Sequence, residues 1–240
     1  MKNKKLLRGL CMALVLCMGI GGMFAYFTDT DTTTNTFTVG QISLDLQEPN
    51  WPGNDDPSVQ DITPNQELTK DPQILNDGVN SEYVFATVAV PYANIKTAAE
   101  DGTVAAEAAN TELYTLQGVS SDWFLMGYLD NDGSISATPV YRDDNTVVHL
   151  YAYGSADAMT KLAKDARTDA IFESVKFVNA VEDQNLEGTS LDIVINAYGI
   201  QTENIGDADT ASEIWTIVKN ANPATAQGSE DAKTDAKVSE

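Results

Sequence analysis

Short runs of Val, Ile, Thr, Ala and Tyr that end at Pro or Gly are the feature that most limits the fold of this chain of 240 residues. Such runs favour β-strands, because branched and aromatic side chains fit a pleated, half-buried surface. Asp, Asn and Gly tolerate the backbone of tight turns, and at residues 130–133 and 143–145 they predict hairpins. We therefore expect an all-β domain. The predicted strands are residues 84–90, 123–129, 147–153, 175–178 and 191–198, with a further short strand around Tyr141.

Helical sequence is confined to three short segments. An Ala-rich insertion covers residues 97–110, and apolar residues recur at near-helical spacing in residues 155–166. The third predicted helix covers residues 211–219, where Asp209 or Thr210 can serve as the N-cap.

The two ends of the predicted domain differ in character. Residues 37–46 carry five apolar side chains whose alternation changes parity at Gly40, so a β-bulge there would direct all five inward. They are Phe37, Val39, Ile42, Leu44 and Leu46. Residues 49–61 contain three prolines and predict an irregular acidic loop, and residues 222–240 lack apolar periodicity and predict a disordered tail.

The N-terminus has the pattern of a secretory signal peptide. A basic start precedes an apolar run at residues 10–24 and then Ala25, which predicts a leader at residues 1–25 and cleavage between Ala25 and Tyr26. An uncleaved anchor is the alternative, because about 20 apolar residues come close to membrane length. The two cysteines, Cys11 and Cys17, lie in the leader, so the processed chain has no thiol.

The charge excludes a sequence-tolerant nucleic-acid-binding protein. The chain has 14 Lys and Arg against 36 Asp and Glu, a formal charge of −22. The leader holds four of these cations and no acid, so the remainder carries 10 cations against 36 acids and a formal charge of −26. Phosphate backbones would repel such a surface.

The sequence offers few residues for catalysis or metal binding. His149 is the only histidine, it lies in a predicted strand, and no His-Glu-x-x-His or Gly-x-Ser-x-Gly motif is present. Adjacent acids such as Asp55-Asp56 and Asp143-Asp144 are typical of solvated loops. Residues 130–134 resemble the start of an EF-hand loop, but the Gly and the Glu that such a loop requires do not fall at the required positions. Residues 132–136 have the spacing of an adhesion-type metal site, but that site requires a helix next, and Thr138-Pro139 opposes a helix. We predict no cofactor and no specific metal, only weak, non-specific Ca²⁺ binding at the acidic loops.

Several segments, in order, resemble the TasA/camelysin family, whose members are processed by a SipW-type signal peptidase. The leader junction GGMFAYFTD resembles the family's cleavage region, although Met23 replaces a small or hydroxyl residue. The later segments are similar to the family's first strand, turns and closing strands, although Asn65 replaces a Gly in one turn. These segments are residues 35–46, 63–70, 76–78, 83–91, 168–178 and 195–201.

The resemblance implies a jelly-roll-like β-sandwich at residues 26–221, secreted to the extracellular matrix or cell surface of a Gram-positive-type bacterium. It implies a subunit of biofilm fibres, with the signal peptidase, other copies of itself and a minor fibre or anchor protein as partners. The freed segment at residues 26–39, with Tyr26, Phe27, Phe37 and Val39, is the expected assembly strand, because an extended segment can add to the sheet of the next subunit. Two alternatives stay open: a camelysin-like surface metalloprotease, and a non-polymerising adhesin that uses Trp51, Trp123 or Tyr151.

Overall fold

The described part of the chain contains eleven strands, one α-helix and one short 3-10 helix at Pro57–Val59. The computed structural model describes residues 42–181, 186, 191–203 and 205–221, all of which belong to one structural unit. The all-β prediction is confirmed. The strands are β1 (Leu44–Gln47), β2 (Glu67–Thr69), β3 (Gln73–Asn76), β4 (Glu82–Ile95), β5 (Ala109–Glu112), β6 (Tyr114–Gln117), β7 (Trp123–Leu129), β8 (Ile135–Ser136), β9 (Thr146–Tyr153), β10 (Ser174–Phe177) and β11 (Val194–Gln201), and the helix is α1 (Ala211–Ala221).

The strands form one large and two smaller antiparallel sheets. The large sheet has the order β11-β4-β9-β7-β8, and β5 pairs with the far half of the long strand β4. The smaller sheets are β2-β10-β6 and the pair β1-β3. Predicted strands at residues 84–90, 123–129, 147–153 and 175–178 are confirmed, and the one at residues 191–198 begins later, at Val194.

The hydrophobic core lies on both faces of the large sheet, because alternate side chains of a strand point to opposite faces. One face packs against the smaller sheets, where Val84, Ala86 and Val88 of β4 join Val175 and Phe177 of β10 in one buried cluster. We call this the inner face. The outer face is covered by α1, whose buried side chains pack on Phe85, Leu150 and their neighbours.

Helix α1 confirms the third predicted helix and begins with a reciprocal cap. The Thr210 hydroxyl accepts a hydrogen bond from the Glu213 N–H at 3.3 Å, and it donates to the Glu213 carboxylate at 2.9 Å. This pattern satisfies backbone groups that the first helical turn cannot pair internally. Of the two predicted caps, Thr210 is therefore the one used, and Ile214 and Trp215 are placed against the sheet.

The other two helical predictions are wrong. Residues 99–110 are exposed, so a helix there would have no face to bury; the segment instead turns at Gly102 and forms isolated bridges before β5. In residues 155–166, Met159 packs on the outer-face cluster and Leu162 on the inner-face cluster. The two side chains therefore cannot share one helix face, and Leu162 instead exchanges two backbone hydrogen bonds with Glu82.

The turn predictions are confirmed, but Tyr141 does not lie in a strand. Residues 130–133 connect β7 to β8 with Gly133 at a φ of +76°, and Asn145 takes a φ of +60° before β9. The turn that ends at Asn145 starts at Arg142, so the chain next to Tyr141 is already turning and cannot extend along a neighbour. Tyr141 packs edge-on against Tyr92 instead, with 4.8 Å between the ring centroids.

The predicted leader, the assembly strand, the bulge at Gly40 and the tail at residues 222–240 lie outside the described residues. Of the apolar residues that follow Gly40, Leu44 and Leu46 are half-buried against the core, as expected. The expectation for Ile42 is wrong: it precedes β1 and is 47% exposed. Within the described ranges, no helix is both long enough and apolar enough to cross a membrane.

Candidate functional site

The described chain begins where the predicted assembly strand ends, and Ile42 and Leu44 cover the inner face of the large sheet there. They lie over Gly199 of β11: a Cβ atom on Gly199 would be 3.3 Å from Ile42 Cγ2 and 3.0 Å from Leu44 Cδ1. Glycine at this position therefore lets the entering chain approach the sheet backbone closely. The first described residues, Ile42 to Leu44, therefore lie beside β11.

A fully buried carboxylate lies beneath this entry point. Glu82, the first residue of β4, accepts a long hydrogen bond of 3.4 Å from the Ser43 N–H through Oε1, while its Oε2 has no hydrogen-bond partner. Burial raises the pKa of Glu82 above its ordinary value, and the negative charge of Asp77 adds to the increase. The start of β1 is therefore packed on a buried acid whose pKa is raised.

The far end of β1 is fixed by a second set of polar contacts. Lys70 Nζ lies 2.6 Å from Glu48 Oε1 and 4.6 Å from the centre of the Trp51 ring, so Trp51 is half-buried rather than free. The carboxylate of Asp71 accepts from both the backbone and the side-chain N–H groups of Asn50. These contacts tie the chain after β1 to the segment between β2 and β3.

His149 is part of a packed polar cluster. Its Nε2 lies 2.6 Å from Glu112 Oε2 on β5, and its ring packs edge-on against Tyr128 and stacks near Tyr151. Burial raises the pKa of the Tyr128 phenol, and the negative charge of Glu112 acts in the same direction. One ring nitrogen is therefore already engaged by a carboxylate, as expected for a strand histidine on a partly polar face.

In the acidic loops, the carboxylates accept hydrogen bonds from residues two positions further along the chain, as is usual in turns. The Asp132 carboxylate accepts from the backbone N–H and the hydroxyl of Ser134, and these bonds lower its pKa to about 2. The Asp144 carboxylate accepts from Thr146 in the same way and lies 3.3 Å from an Arg142 nitrogen. In the described ranges, no group of three or more His, Cys, Asp or Glu residues is placed to hold a metal ion.

Two of the three aromatic residues considered for an adhesin are in the core. Trp123 is 4% exposed and donates its indole N–H to the Asp169 carbonyl at 3.0 Å, and Tyr151 is also buried. The core position expected for Trp123 is therefore confirmed. With Trp51 held against Lys70, these three residues form no exposed aromatic surface.

The side of the large sheet away from β11 carries an apolar strand edge. The short strand β8 pairs only with Tyr128 and Leu129 of β7. Among the described strands, the preceding stretch Trp123–Gly127 therefore has one neighbour, β9. We call this stretch the β7 edge. Phe124 and Leu125 are both 37% exposed there, and Ile135 of β8 is exposed beside them.

A comparison with protein families identifies the N-terminal part of the chain. A family model described as camelysin metallo-endopeptidase matches residues 2–106. The resemblance to the TasA/camelysin family is therefore confirmed over residues 2–106, and the similar segments at residues 168–178 and 195–201 lie outside the match. The camelysin-family segment ends beyond β4 and spans less than half of the chain. No curated protein and no solved structure matches the chain.

The camelysin description implies a metal ion, and the described residues do not fit one. A catalytic zinc site needs about three protein ligands with an open position. His149 is the one histidine in the sequence, and its Nε2 is bound to Glu112 between two tyrosines. We therefore derive no chemistry from a metal at this position.

Sequence reasoning missed two of these features. Glu112 lies 37 residues from His149 and follows the insertion at residues 97–110 that was predicted to be helical, so nothing local indicated the pair. Glu82 lies outside the predicted strand at residues 84–90, and its burial was not expected because a charged residue is rarely buried without a partner. The small residue Gly199 in a β-rich run was an available signal of a close approach in that region.

Proposed function

We propose that this protein is a secreted structural subunit of extracellular fibres in a biofilm matrix. After cleavage between Ala25 and Tyr26, the segment at residues 26–39 would add as a strand to the next subunit, with Phe27, Phe37 and Val39 entering its sheet. A SipW-type signal peptidase would act during export, and a minor fibre or anchor protein is a further proposed partner. The protein would then be located in the matrix or at the cell surface, where camelysin-family proteins are found.

The observation that carries this proposal is the sandwich with an apolar strand edge on its large sheet. An unpaired edge presents N–H and C=O groups that can bond to an added strand, and exposed Phe124 and Leu125 give that strand apolar surface to cover. The family match supports the proposal because it includes the leader, residues 26–39 and the strands that follow them.

Deletion of residues 26–36 tests the proposal. The chain that begins at Tyr26 should form fibres visible by electron microscopy, and the deletion should abolish them while circular dichroism and the unfolding transition stay unchanged. Fibres that persist after the deletion would contradict strand donation. The competing state is a monomer in which residues 26–39 pair within their own sheet.

We propose a structural role rather than an enzymatic one. The description of the family names a protease, so the purified protein should be assayed for metal-dependent cleavage of a denatured substrate. Activity that requires zinc and disappears in the His149→Ala variant, but not in the matched Tyr128→Phe variant, would refute this part of the proposal.

A further inference from the structure

Glu82 is the only fully buried acid among the described residues. Asp71 is nearly as buried, but both of its carboxylate oxygens accept hydrogen bonds from Asn50. Glu82 instead accepts a single long bond of 3.4 Å from the Ser43 N–H, and its Oε2 accepts none. A buried carboxylate with so few donors is costly in its charged form, because it loses the hydration that water provides. Ionisation of Glu82 therefore favours any local change that admits water.

The start of the described chain forms the cover over this carboxyl group. Above Gly199, a Cβ atom would meet Glu82 Oε2 at 2.5 Å, Leu44 Cδ1 at 3.0 Å and Ile42 Cγ2 at 3.3 Å. The three side chains therefore converge on one point of β11, with the carboxyl group beneath the two apolar ones. We call residues 42–44 the entry segment. Ile42 is 47% exposed, so water lies directly on its other side.

Few hydrogen bonds hold the entry segment in place. The Ser43 carbonyl accepts from the backbone N–H groups of Asp77 and Gly78, each at 3.2 Å. The Ser43 N–H donates only the long bond to Glu82. The pairing of β1 with β3 begins at Leu44, so the residues before it have no ladder partner among the described strands.

The other walls around Glu82 are held more firmly. Strand β11 pairs with β4 along all eight of its residues, and Gln201 is the partner of Glu82. Glu82 also exchanges two backbone hydrogen bonds with Leu162, at 2.8 Å and 3.0 Å. Opening either wall would break several ladder bonds, so the entry segment is the cover that costs least to displace.

The charged groups around Glu82 do not stabilise its ionised form. Burial raises the pKa of Glu82, and the negative charge of Asp77 in the preceding turn adds to the increase. Asp45 on β1 is a further acid and is exposed. Lys161, next to the segment that bridges to Glu82, lies over the Tyr83 ring, 6.0 Å from its centre. No ion pair of the described residues includes Glu82.

We propose that Glu82 is a pH-sensitive latch for the entry segment. The neutral carboxyl group holds residues 42–44 on β11, and the ionised carboxylate displaces them and takes up water while the rest of the domain stays folded. The remainder of β1 stays paired with β3, and its far end stays tied by the ion pair of Glu48 with Lys70. The latch goes beyond the proposed function, because all its contacts lie within one chain.

The direction and slope of the pH dependence follow from proton linkage. In the released state Glu82 is hydrated and its pKa returns towards the ordinary value of 4.5, so the closed state binds the proton more tightly. The equilibrium constant for release should therefore rise by about tenfold per pH unit above 4.5 and level off once the pH exceeds the pKa of the closed state. Acid holds the entry segment, and higher pH loosens it.

Amide hydrogen exchange measured by NMR tests the latch directly. The amides of Asp77 and Gly78 report on the entry segment, because both donate to the Ser43 carbonyl. In the chain that begins at Tyr26, their protection relative to the intrinsic exchange rate at each pH should fall by about tenfold or more between pH 5 and 8. The amides of Glu82 and Leu162 should keep their protection, because those walls stay closed.

Two variants and a second measurement control the experiment. Glu82→Gln keeps the side chain neutral, so the protection of Asp77 and Gly78 should no longer depend on pH. The matched variant Asp45→Asn removes an exposed charge from β1 and should keep the pH profile of the unmodified chain. The side-chain carboxyl carbon of Glu82, followed by ¹³C NMR in the unmodified chain, should titrate over the pH range in which protection is lost. This titration tests the latch even if the Gln variant does not fold.

The possible outcomes are distinct. Titration of Glu82 with unchanged protection of Asp77 and Gly78 would overturn the latch, and so would a parallel loss of protection at Glu82 and Leu162. A pH-dependent profile in Glu82→Gln would also overturn it. The profile should be the same at two protein concentrations, whether or not fibres form. A profile that changes with concentration would overturn the latch and leave the proposed function standing.

Discussion

Replacement of Gly199 by Ala should destabilise the domain through the buried acid beneath the chain entry. The new methyl group would lie 2.5 Å from Glu82 Oε2, 3.0 Å from Leu44 Cδ1 and 3.3 Å from Ile42 Cγ2. Ile42 is half-exposed and can move, whereas Glu82 is fully buried, so a shift of its carboxylate must displace close-packed neighbours. Overpacking of this kind costs about 1–3 kcal/mol, against a gain of roughly 0.5–1 kcal/mol from replacing a strand glycine. We expect a net loss of about 1–2 kcal/mol.

A double-mutant cycle with Glu82→Ala isolates the contact. Removing the carboxylate opens space for the methyl group, so Gly199→Ala should become neutral or stabilising in that background, with a coupling energy of about 1–3 kcal/mol. Urea unfolding followed by tryptophan fluorescence measures all four free energies, because Trp123 and Trp215 are buried. The Ala197→Gly variant, two residues away on the same face of β11, measures the difference in unfolding free energy between Ala and Gly in this strand. An unchanged stability of Gly199→Ala, or a coupling energy near zero, would refute the reasoning.

Three further predictions follow from the same structure. The raised pKa of Glu82 means that the folded state binds the Glu82 proton more tightly than the unfolded state does. The unfolding free energy should therefore fall as pH rises from 4.5 through the folded pKa. Urea unfolding at a series of pH values measures this decline, and the Glu82→Gln variant should not show it. Trp123→Ala should cost about 3–5 kcal/mol in urea unfolding, and half-buried Trp51→Ala clearly less. Growth of the proposed fibres, followed by light scattering, should accelerate with added salt or divalent cations, because residues 26–240 carry a formal charge of −26 and screening reduces their self-repulsion.

The strands were predictable from sequence wherever the apolar pattern and the turn residues agreed. Strand β7 was predicted with its observed bounds, because Trp123 begins an apolar run and the turn at residues 130–133 ends it. The helix α1 was predictable because Thr210 can cap its N-terminus and the residues that follow form one apolar face. The structure of residues 155–166 was not predictable in this way. Their apolar residues have near-helical spacing, but Met159 and Leu162 pack into two different clusters.

The candidate site depended on contacts that no local pattern encodes. His149 was recognised as a strand residue, but its partner Glu112 reaches it only because β5 folds back along β4. The open edge of β7 could not be predicted from sequence either. The same apolar run would have a paired strand on each side if β8 were a few residues longer. Its openness results from the bulge at Met126 and the approach of Ser136 at Gly127.

In the proposed fibre, charge and strand edges act on the association of copies at different distances. Residues 26–240 are acidic enough for copies to repel one another at a distance, and this repulsion acts between whole domains. The two surfaces proposed to meet, residues 32–41 and Trp123–Gly127, carry no charge, so their contact adds no local repulsion at short range. Long-range repulsion would then oppose unspecific contacts between acidic surfaces, while only the neutral strand on the neutral edge gains a full ladder of hydrogen bonds.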